Sequence, residues 1–439
     1  MKKLLFIFLQ FLICTVFLTA QSRFELQNHT HYYNSKLISL ASFVEKFSTD
    51  SLKLYLYYKL PINNYLLRPI SNGDFQGIAN LTLTLSDQDG VVRFHRLFTD
   101  TIVSPKSQFL PNELVFQEGY TSLIIPKDYY QLEVRVNDVN SRKSEKVSIG
   151  YLLLDTARKT NASLMILNKF SENQLKPICL FNNSDYSNSP KTILINLFVN
   201  TEFSNLTYKI QKIKSEDEYN FELSDLNGKV EKIKVEDVQF TSEFVELNYN
   251  SKATTEKEES GNNYYVIDFI HNPFVPGRYQ LEIYSGNRIV YTTTFRVIWD
   301  NQPITLYNMN VALKISEIFL TNEEIDLVRS YNKRLQFKGL YDVWKKLDTT
   351  TPLDNYPESM IEFYQRADFA YYSFSTFAER NGALTDKGKV YILNGSPDKI
   401  EEVFKMKKLN EIWTYSNLIK EYTFESVEAG VLKLVNIKE

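Results

Sequence analysis

Apolar and polar residues alternate with a period of two along much of the first two thirds of the chain. Residues 130–134 and 279–283 both begin with Tyr-Gln-Leu-Glu, and each precedes a further alternating segment, at residues 144–153 and 288–299. A period of two lays one face of a strand on a hydrophobic core. The pattern therefore predicts a β-rich region of half-buried strands.

Two sequence markers occur twice in this region, in the same order. The first is a turn motif that ends in Asp89-Gly90 and returns as Asn227-Gly228, and the second is the Tyr-Gln-Leu-Glu strand at Tyr130 and Tyr279. Asp-Gly and Asn-Gly favour two-residue hairpins, because both central positions tolerate positive φ. The recurrence predicts two tandem immunoglobulin-like β-sandwiches. Their predicted bounds are residues 21–155 and 156–301.

The second copy has a longer gap between its two markers, and residues 251–263 fill it. This segment is polar and charged and has no apolar period. It is predicted to be a surface loop, with a binding arm as the alternative. The Asp-Gln-Asp-Gly turn at residues 87–90 and the Asp-Leu-Asn-Gly turn at residues 225–228 resemble the start of a calcium-binding loop, but the remaining ligands of such a loop are missing.

After residue 300 the apolar period changes from 2 to 3.6, which predicts helices. Thr321 or Asn322 is a candidate N-cap followed by acidic residues, and residues 339–347 carry apolar side chains at helical spacing. Pro357-Glu358 opens a longer, aromatic-rich helix. A small sheet is predicted to follow, with strands at residues 390–393, 411–415, 422–425 and 431–435. The predicted fold class is thus mostly β, with a C-terminal α+β domain at residues 302–439.

The N-terminus has the pattern of a secretory signal peptide. Lys2 and Lys3 precede an apolar run from Leu4 to Leu18, and Ala20 supplies a small residue at a cleavage site before Gln21. A membrane anchor is the alternative, but the run is shorter than a bilayer span of roughly 20 residues. We expect cleavage after residue 20, no transmembrane segment in the mature chain, and a periplasmic, outer-membrane-associated or secreted location.

Composition narrows the function further. The chain has 439 residues, a net charge of −3 and 14% aromatic residues, so it is a well-packed protein without the basic surface that nucleic-acid binding requires. Cys179 is alone once the signal is removed, and no histidine lies near it in sequence to activate a thiolate. The four histidines show no metal-ligand spacing. No metal or cofactor is predicted.

Several sequence blocks follow one another in the last third of the chain: Phe319–Glu324, Trp344, Tyr364–Arg366, Gly382–Asp386, Gly388–Ile392, Gly395–Asp398 and Ile412–Tyr415. In this order they resemble the GWxTD domain of bacterial proteins. The resemblance covers roughly residues 303–439 and departs from the signature at two positions, where Ala383 replaces tryptophan and Lys387 replaces a common arginine. It implies an exported protein but no settled biochemical activity. The residues that carry the signature and any binding role are Arg366, Gly382, Thr385, Asp386, Gly388, Lys389, Tyr391, Gly395, Pro397, Asp398 and Trp413.

Two functions are compatible with these residues. In the first, Asp386 accepts backbone N–H bonds or pairs with a cation such as Arg366, and the domain belongs to a non-catalytic binding or scaffolding protein with envelope or surface protein partners. In the second, Asp386, Asp398, Lys389 and Tyr391 line one pocket of a hydrolase-like enzyme, with a carboxylate as general base or metal ligand. Convergence of Asp386, Asp398 and Arg366 on a cavity would favour the enzyme.

Overall fold

A computed structural model describes most of the chain beyond residue 36, and the chain divides into two compact units, residues 34–300 and residues 301–439. The predicted signal peptide, His29 and His31, and residues 251–261 of the predicted loop lie outside the described residues. The described ranges are 37–87, 89–104, 115–126, 130–152, 161–187, 189–198, 203, 205–214, 224–234, 237–248, 262–299, 302–348, 356–405, 408–427 and 431–439.

The first unit is built of β-strands. Its first eight strands are β1 Ser39–Lys46, β2 Ser51–Pro61, β3 Arg68–Pro69, β4 Phe75–Ser86, β5 Val92–Ser104, β6 Phe116–Pro126, β7 Tyr130–Asp138 and β8 Ser144–Leu152. The next twelve are β9 Asn161–Lys169, β10 Gln174–Pro177, β11 Ser184–Asp185, β12 Lys191–Phe198, β13 Leu206–Ile213, β14 Leu226–Lys229, β15 Glu231–Ile233, β16 Val238–Phe240, β17 Val245–Leu247, β18 Tyr264–Phe269, β19 Gly277–Ser285 and β20 Arg288–Ile298.

These strands form four sheets. Sheet I has the order β1-β2-β6, and sheet II holds β3, β4, β7 and β8 in order, with β5 on β4. Sheet III has the order β15-β18-β12-β9-β10-β17-β16, and sheet IV has the order β11-β20-β19-β13-β14. The second unit contributes a separate sheet.

Three hydrophobic cores join the four sheets into successive layers. Leu54 and Leu56 of sheet I pack with Leu83 of sheet II, whereas Tyr55 and Tyr57 of sheet I pack with strands of sheet III. Alternate residues of sheet III then pack against sheet IV. Sheets I and III therefore lie inside the stack, with apolar side chains on both faces. This explains why seven consecutive residues of β12, Lys191 to Leu197, are buried without alternation.

Strand connectivity in the first half of the unit recurs in the second. β4 pairs with β5 and β7, and β7 pairs with β8; in the same way β13 pairs with β14 and β19, and β19 pairs with β20. The two Tyr-Gln-Leu-Glu segments fall on β7 and β19, at matching places in this scheme.

The predicted hairpin at Asn227-Gly228 is wrong. Asp89-Gly90 does lie in the turn between β4 and β5, with Gly90 at φ +78°. Asn227 and Gly228 instead belong to strand β14 and pair with Lys209 and Tyr208. The Tyr208 ring covers Gly228 so closely that a Cβ there would lie 2.7 Å from a ring carbon, which explains the glycine without a turn.

The second unit is α+β. Its helices are α1 Met309–Ser316, α2 Asn322–Ser330, α3 Gln336–Leu347, α4 Glu358–Ser373 and α5 Asp386–Asn394. Its strands, β21 Lys399–Lys405, β22 Lys408–Tyr415, β23 Lys420–Ser426 and β24 Leu432–Lys438, form one antiparallel sheet in chain order. Short 3₁₀ turns occupy Ile304–Tyr307, Lys333–Leu335, Gly382–Leu384 and Ser416–Leu418 of this unit, and another occupies Ile62–Asn64 of the first unit. A mostly β chain with helices and a small sheet near its end is confirmed.

Several local predictions for this unit agree with the structure, and one does not. Thr321 is the N-cap of α2 and forms a capping box with Glu324, and α4 begins directly after Pro357. Residues 390–393, predicted as a strand, lie in helix α5. A run of four apolar residues fits a buried strand or a buried helix equally well, and the N-cap at Thr385 selects the helix. Within the described residues, no helix has the length and apolar content needed to cross a membrane.

Candidate functional site

The signature loop is built from two consecutive caps. The Asn381 side-chain oxygen accepts a hydrogen bond from Ala383 N at 3.1 Å and starts the 3₁₀ turn Gly382–Leu384. The Thr385 hydroxyl then accepts from Gly388 N at 3.0 Å and donates to Gly382 O at 2.7 Å. Thr385 thus satisfies one amide of α5 and one carbonyl of the preceding turn, which fixes the angle between them.

Gly382 and Gly388 permit backbone contacts that no other residue would allow. A Cβ at Gly382 would lie 2.2 Å from Ala370 O, and a Cβ at Gly388 would lie 2.0 Å from Gly382 O. The turn therefore packs directly on the end of α4 and on the first turn of α5. Ala383, which replaces the tryptophan of the signature, is fully buried in this contact.

Asp386 joins the start of α5 to the last strand. Its Oδ2 atom accepts a hydrogen bond from Leu434 N at 3.0 Å, and Lys433 Nζ lies 3.9 Å from the same oxygen. A carboxylate in the first turn of a helix is also stabilised by the helix dipole. Asp386 therefore links α5 to β24. Its hydrogen-bond partner is a backbone amide of β24 rather than Arg366.

Lys387 lies in a cluster that sequence reasoning missed. Its ammonium lies 2.8 Å from Glu411 Oε1 and 3.0 Å from Glu411 Oε2, so it bridges both carboxylate oxygens. The same ammonium stands 5.1 Å from the centre of the Phe374 ring and 5.3 Å from that of Trp413. Trp413 Nε1 donates to Glu411 Oε1 at 2.6 Å. The sequence does contain a signal for this cluster. Side chains alternate between the two faces of β22, so Glu411 falls on the same face as Trp413.

Arg366 caps the opposite end of α5. Its Nη1 atom donates to Ile392 O and Leu393 O, both at 3.3 Å, and its Nη2 atom contacts the Glu362 carboxylate. A guanidinium at this position satisfies the last carbonyls of a helix and complements its dipole. Gly395 follows at φ +78°, a conformation that suits glycine after a helix.

The Gly395–Asp398 segment braces the hairpin between β22 and β23. Tyr415 OH donates to Gly395 O at 2.9 Å, and Asp398 N donates to Thr414 O at 2.9 Å. Asp398 Oδ2 accepts from Ser416 N at 2.6 Å. Pro397 is half-buried between these contacts. The segment is thus a fixed connection, and Asp398 stabilises the start of the hairpin tip.

The two remaining signature residues have different surroundings. Tyr391 is half-buried, its ring stacks on Phe369 at 4.6 Å between centroids, and burial raises the pKa of its hydroxyl. Lys389 is exposed on α5. The carboxylates of Asp386 and Asp398 bond to backbone amides, as described above. These bonds do not bring Lys389 or Tyr391 into a shared site.

The predicted residues therefore separate into two groups. Thr385, Asp386 and Gly388 lie at the start of α5, whereas Arg366, Gly395 and Asp398 lie at its end. A helix of nine residues is roughly 13 Å long, so the two carboxylates do not converge. Among the described residues, no group of three or more His, Cys, Asp or Glu is arranged to hold a metal ion.

A third carboxylate, Asp368, is half-buried in this unit and was not singled out from the sequence. It lies in α4 and accepts hydrogen bonds from Ile304 N at 2.5 Å and from Thr305 N and Thr305 Oγ1 at 2.9 and 2.5 Å. Burial raises its pKa to about 6, and the three donors oppose that rise. Its role is to cap the 3₁₀ turn that opens the unit.

The geometry defines a β-rich protein whose α+β unit is held together by a short glycine-flanked signature around α5. The sequence model of the GWxTD domain matches residues 288–430, so this part of the chain carries a GWxTD domain and the resemblance is confirmed. The match begins in β20 and runs past β23. Among curated proteins, none gives a significant match to the chain.

Proposed function

We propose that this chain is an exported, non-catalytic binding or scaffolding protein of the bacterial cell envelope. One observation carries the proposal: the signature carboxylates Asp386 and Asp398 stand at opposite ends of α5, and each accepts a backbone N–H. A glycoside hydrolase that uses two carboxylates needs both within roughly 5–10 Å of each other across its substrate. The signature is better suited to hold a helix, a hairpin and a strand in one arrangement.

We further propose that the first unit is a tandem of immunoglobulin-like sandwiches. The recurring strand connectivity supports this assignment. So does the bond from Tyr279 OH to Val275 O at 2.9 Å, since a tyrosine near the start of the corresponding strand makes such a bond in immunoglobulin-like domains. Folds of this kind commonly bind partners through end loops and exposed strand edges.

Export rests on the N-terminal sequence alone. The basic residues Lys2 and Lys3, the apolar run that follows them and Ala20 favour cleavage before Gln21. Mass-spectrometric analysis of the N-terminus of the protein from its native cells should find Gln21 or a close neighbour. A chain that retains Met1 in the membrane fraction would contradict export of the cleaved form.

The binding function is tested by affinity purification of the tagged chain from its native cells. We expect specific envelope proteins to co-purify with the wild type and with Lys389→Ala, which changes an exposed residue of α5. Purified protein should show no hydrolysis of ester, peptide or glycoside substrates. A hydrolytic activity that disappears in Asp386→Asn while the protein stays fully folded would support the enzyme instead.

A further inference from the structure

Strand β5 forms a long free edge of sheet II. It pairs with β4 from Val92 to Ser104, and no other described strand pairs with it. Proteins commonly protect such edges by keeping them short or by placing proline, lysine or bulges in them. β5 has 13 residues with no proline or lysine, and its one register shift, beside Leu85, lies at its start. Its outer N–H and C=O groups are therefore available to another strand.

Several apolar side chains of β5 remain in contact with water. Val92, Leu97 and Val103 are 53%, 60% and 42% exposed. Phe94 and Phe98 pack against the core between sheets I and II but are only partly buried, since β5 is the last strand of its sheet. A further strand along this edge would cover these side chains.

Two charges on the core-facing side of β5 restrict which strand can pair with it. Arg96 and Asp100 lie on either side of Phe98, and their positions along the strand are roughly 14 Å apart, too far for a mutual ion pair. Asp100 accepts hydrogen bonds from Tyr58 OH at 3.0 Å and from Thr101 N at 2.8 Å, and Arg96 is exposed. None of the ion pairs within the described ranges includes either residue. An incoming strand must therefore place an anion opposite Arg96 and a cation opposite Asp100.

A second copy of β5 meets both requirements. Phe98 is the middle residue of the strand, so an antiparallel copy with Phe98 opposite Phe98 pairs the two strands from end to end. In this register Arg96 of each copy lies opposite Asp100 of the other. Two identical ion pairs then form about one two-fold axis, and opposite charges at directly opposed positions stabilise a pair of strands.

The other charged positions of β5 are compatible with this register. Arg93 of one copy lies opposite Val103 of the other, and His95 lies opposite Thr101, so no like charges meet across the edge. Arg93 is already paired with Asp87 at 2.6 Å. The symmetric registers on either side of this one would place both core-side charges opposite apolar residues.

Charges on the adjoining strands do not change this pattern. β4 contains no charged residue. The one charged residue of β6 in sheet I is Glu118, and it pairs with Lys59 at 3.1 Å and with Lys176 at 2.8 Å. The charges that a strand at this edge meets are therefore those of β5 itself.

We propose that this protein forms a homodimer in which β5 pairs antiparallel with β5 of a second copy, centred on Phe98. The pairing joins the two copies of sheet II into one continuous sheet. It closes at two copies, because each chain uses its single β5 edge. The inference goes beyond the proposed binding function and does not depend on it, since the partner is a second copy of the chain.

Charge reversal tests the two ion pairs. Sedimentation velocity of the purified wild type over a range of concentrations should show a dimer. Arg96→Asp opposes two carboxylates and Asp100→Arg opposes two guanidinium groups, so the dissociation constant of the dimer should rise about tenfold or more in each variant. Arg278→Asp makes the same charge change at an exposed position of β19, which has strands on both sides, and should leave the dimer unchanged.

Mixing the two variants separates pairing from folding. In an equimolar mixture of Arg96→Asp and Asp100→Arg, opposite charges meet again at both positions. We expect a heterodimer with an affinity near that of the wild type, detected by different affinity tags on the two chains. Restoration of the dimer by mixing excludes a folding defect as the cause of its loss, and thermal melting of each variant checks this directly.

Disulfide crosslinking tests the register without altering the charges. Leu97 and Thr99 are exposed and lie opposite each other across the proposed axis, where Cβ atoms are roughly 5 Å apart, within reach of a disulfide. Mild oxidation of a mixture of Leu97→Cys and Thr99→Cys should give a covalent dimer. A mixture of Leu97→Cys and Thr101→Cys, which matches the next register, should give far less.

The remaining outcomes contradict the proposal. A wild type that is monomeric at every concentration tested overturns it, and co-purification of other envelope proteins with that monomer would leave the binding function standing. A dimer that survives both charge reversals, or that mixing does not restore, forms elsewhere or in another register. Assembly beyond two copies through β5 would contradict the closed two-fold pairing.

Discussion

The carbonyl oxygen of Gly382 occupies the position into which a side chain at Gly388 would project, 2.0 Å from an ideal Cβ. Gly388→Ala must therefore push the 3₁₀ turn away from α5, and backbone atoms cannot relax as side chains do. We expect it to lower the free energy of unfolding by about 3 kcal/mol, the upper part of the usual range for overpacking. Lys389→Ala, at the next and exposed position, is the control and should change stability little. Chemical denaturation of both variants measures the difference.

Asp386→Ala should destabilise the second unit. The substitution leaves Leu434 N without its acceptor and removes a negative charge from the first turn of α5. We expect a loss of about 1–3 kcal/mol in the free energy of unfolding. Glu401→Ala on β21, an exposed carboxylate, provides the comparison. If Asp386→Ala has the stability of the wild type, the carboxylate does not stabilise the contact between α5 and β24.

Asp368 makes stability depend on pH in an uncommon direction. Since burial raises its pKa from 3.8 to about 6, the folded state binds the proton more tightly than the unfolded state. Its contribution is fully present below about pH 4 and is lost as the pH rises through 6, by roughly 3 kcal/mol. Asp368→Asn does not titrate, so its stability relative to the wild type should increase over that range. Denaturation at pH 4, 5, 6 and 7 measures the trend, and parallel curves would contradict it.

Cys179 should be inert in the folded protein. Its side chain lies in the core between sheets I and III, and burial raises the pKa of its thiol to about 12. The thiolate is the reactive form, so an aromatic disulfide reagent at pH 8 should not label Cys179 in the native protein. Unfolding in guanidinium should expose the Cys179 thiol. Rapid labelling without denaturant would place Cys179 in an accessible site.

The stability of each half of the first unit should depend on the presence of the other half. Phe43, Tyr55 and Tyr57 from the first half pack with Met165 and Tyr264 from the second, and each large buried apolar side chain contributes roughly 1.5–3 kcal/mol. Residues 37–152 and 161–299 expressed separately should each be less stable than the joined unit, and mixing them should restore a complex. Size-exclusion chromatography and denaturation midpoints measure this. Two halves as stable alone as together would contradict a shared core.

Sequence pattern predicted the regular strands well and the short apolar segments poorly. The alternation at Tyr130 and Tyr279 identified β7 and β19, because each lays a single face on a core. The sequence around Val390 contains no such information, since four apolar residues in a row satisfy either a buried strand or a buried helix. The hydrogen bond from Gly388 N to the Thr385 hydroxyl selects the helix, and Thr385 followed by Asp386 is the local N-cap signal that was overlooked.

Residue identity alone also failed to distinguish a turn glycine from a packing glycine. Gly90 has a positive φ in a hairpin, as its Asp-Gly context indicates, whereas Gly228 makes room for the Tyr208 ring from an adjacent strand. The signature was recognisable from residue order, but the bonds of its carboxylates were not. Asp386 and Asp398 bond amides 48 and 18 residues further along the chain, and such distant partners leave no local pattern.

The layered packing of the first unit has a mechanical consequence. Sheets I and III each contact a neighbour on both faces, so bending the unit would require apolar layers to slide past one another over interlocked side chains. Close-packed interiors resist such shear because they have low compressibility. The core shared by sheets I and III therefore opposes bending between the two halves of the first unit.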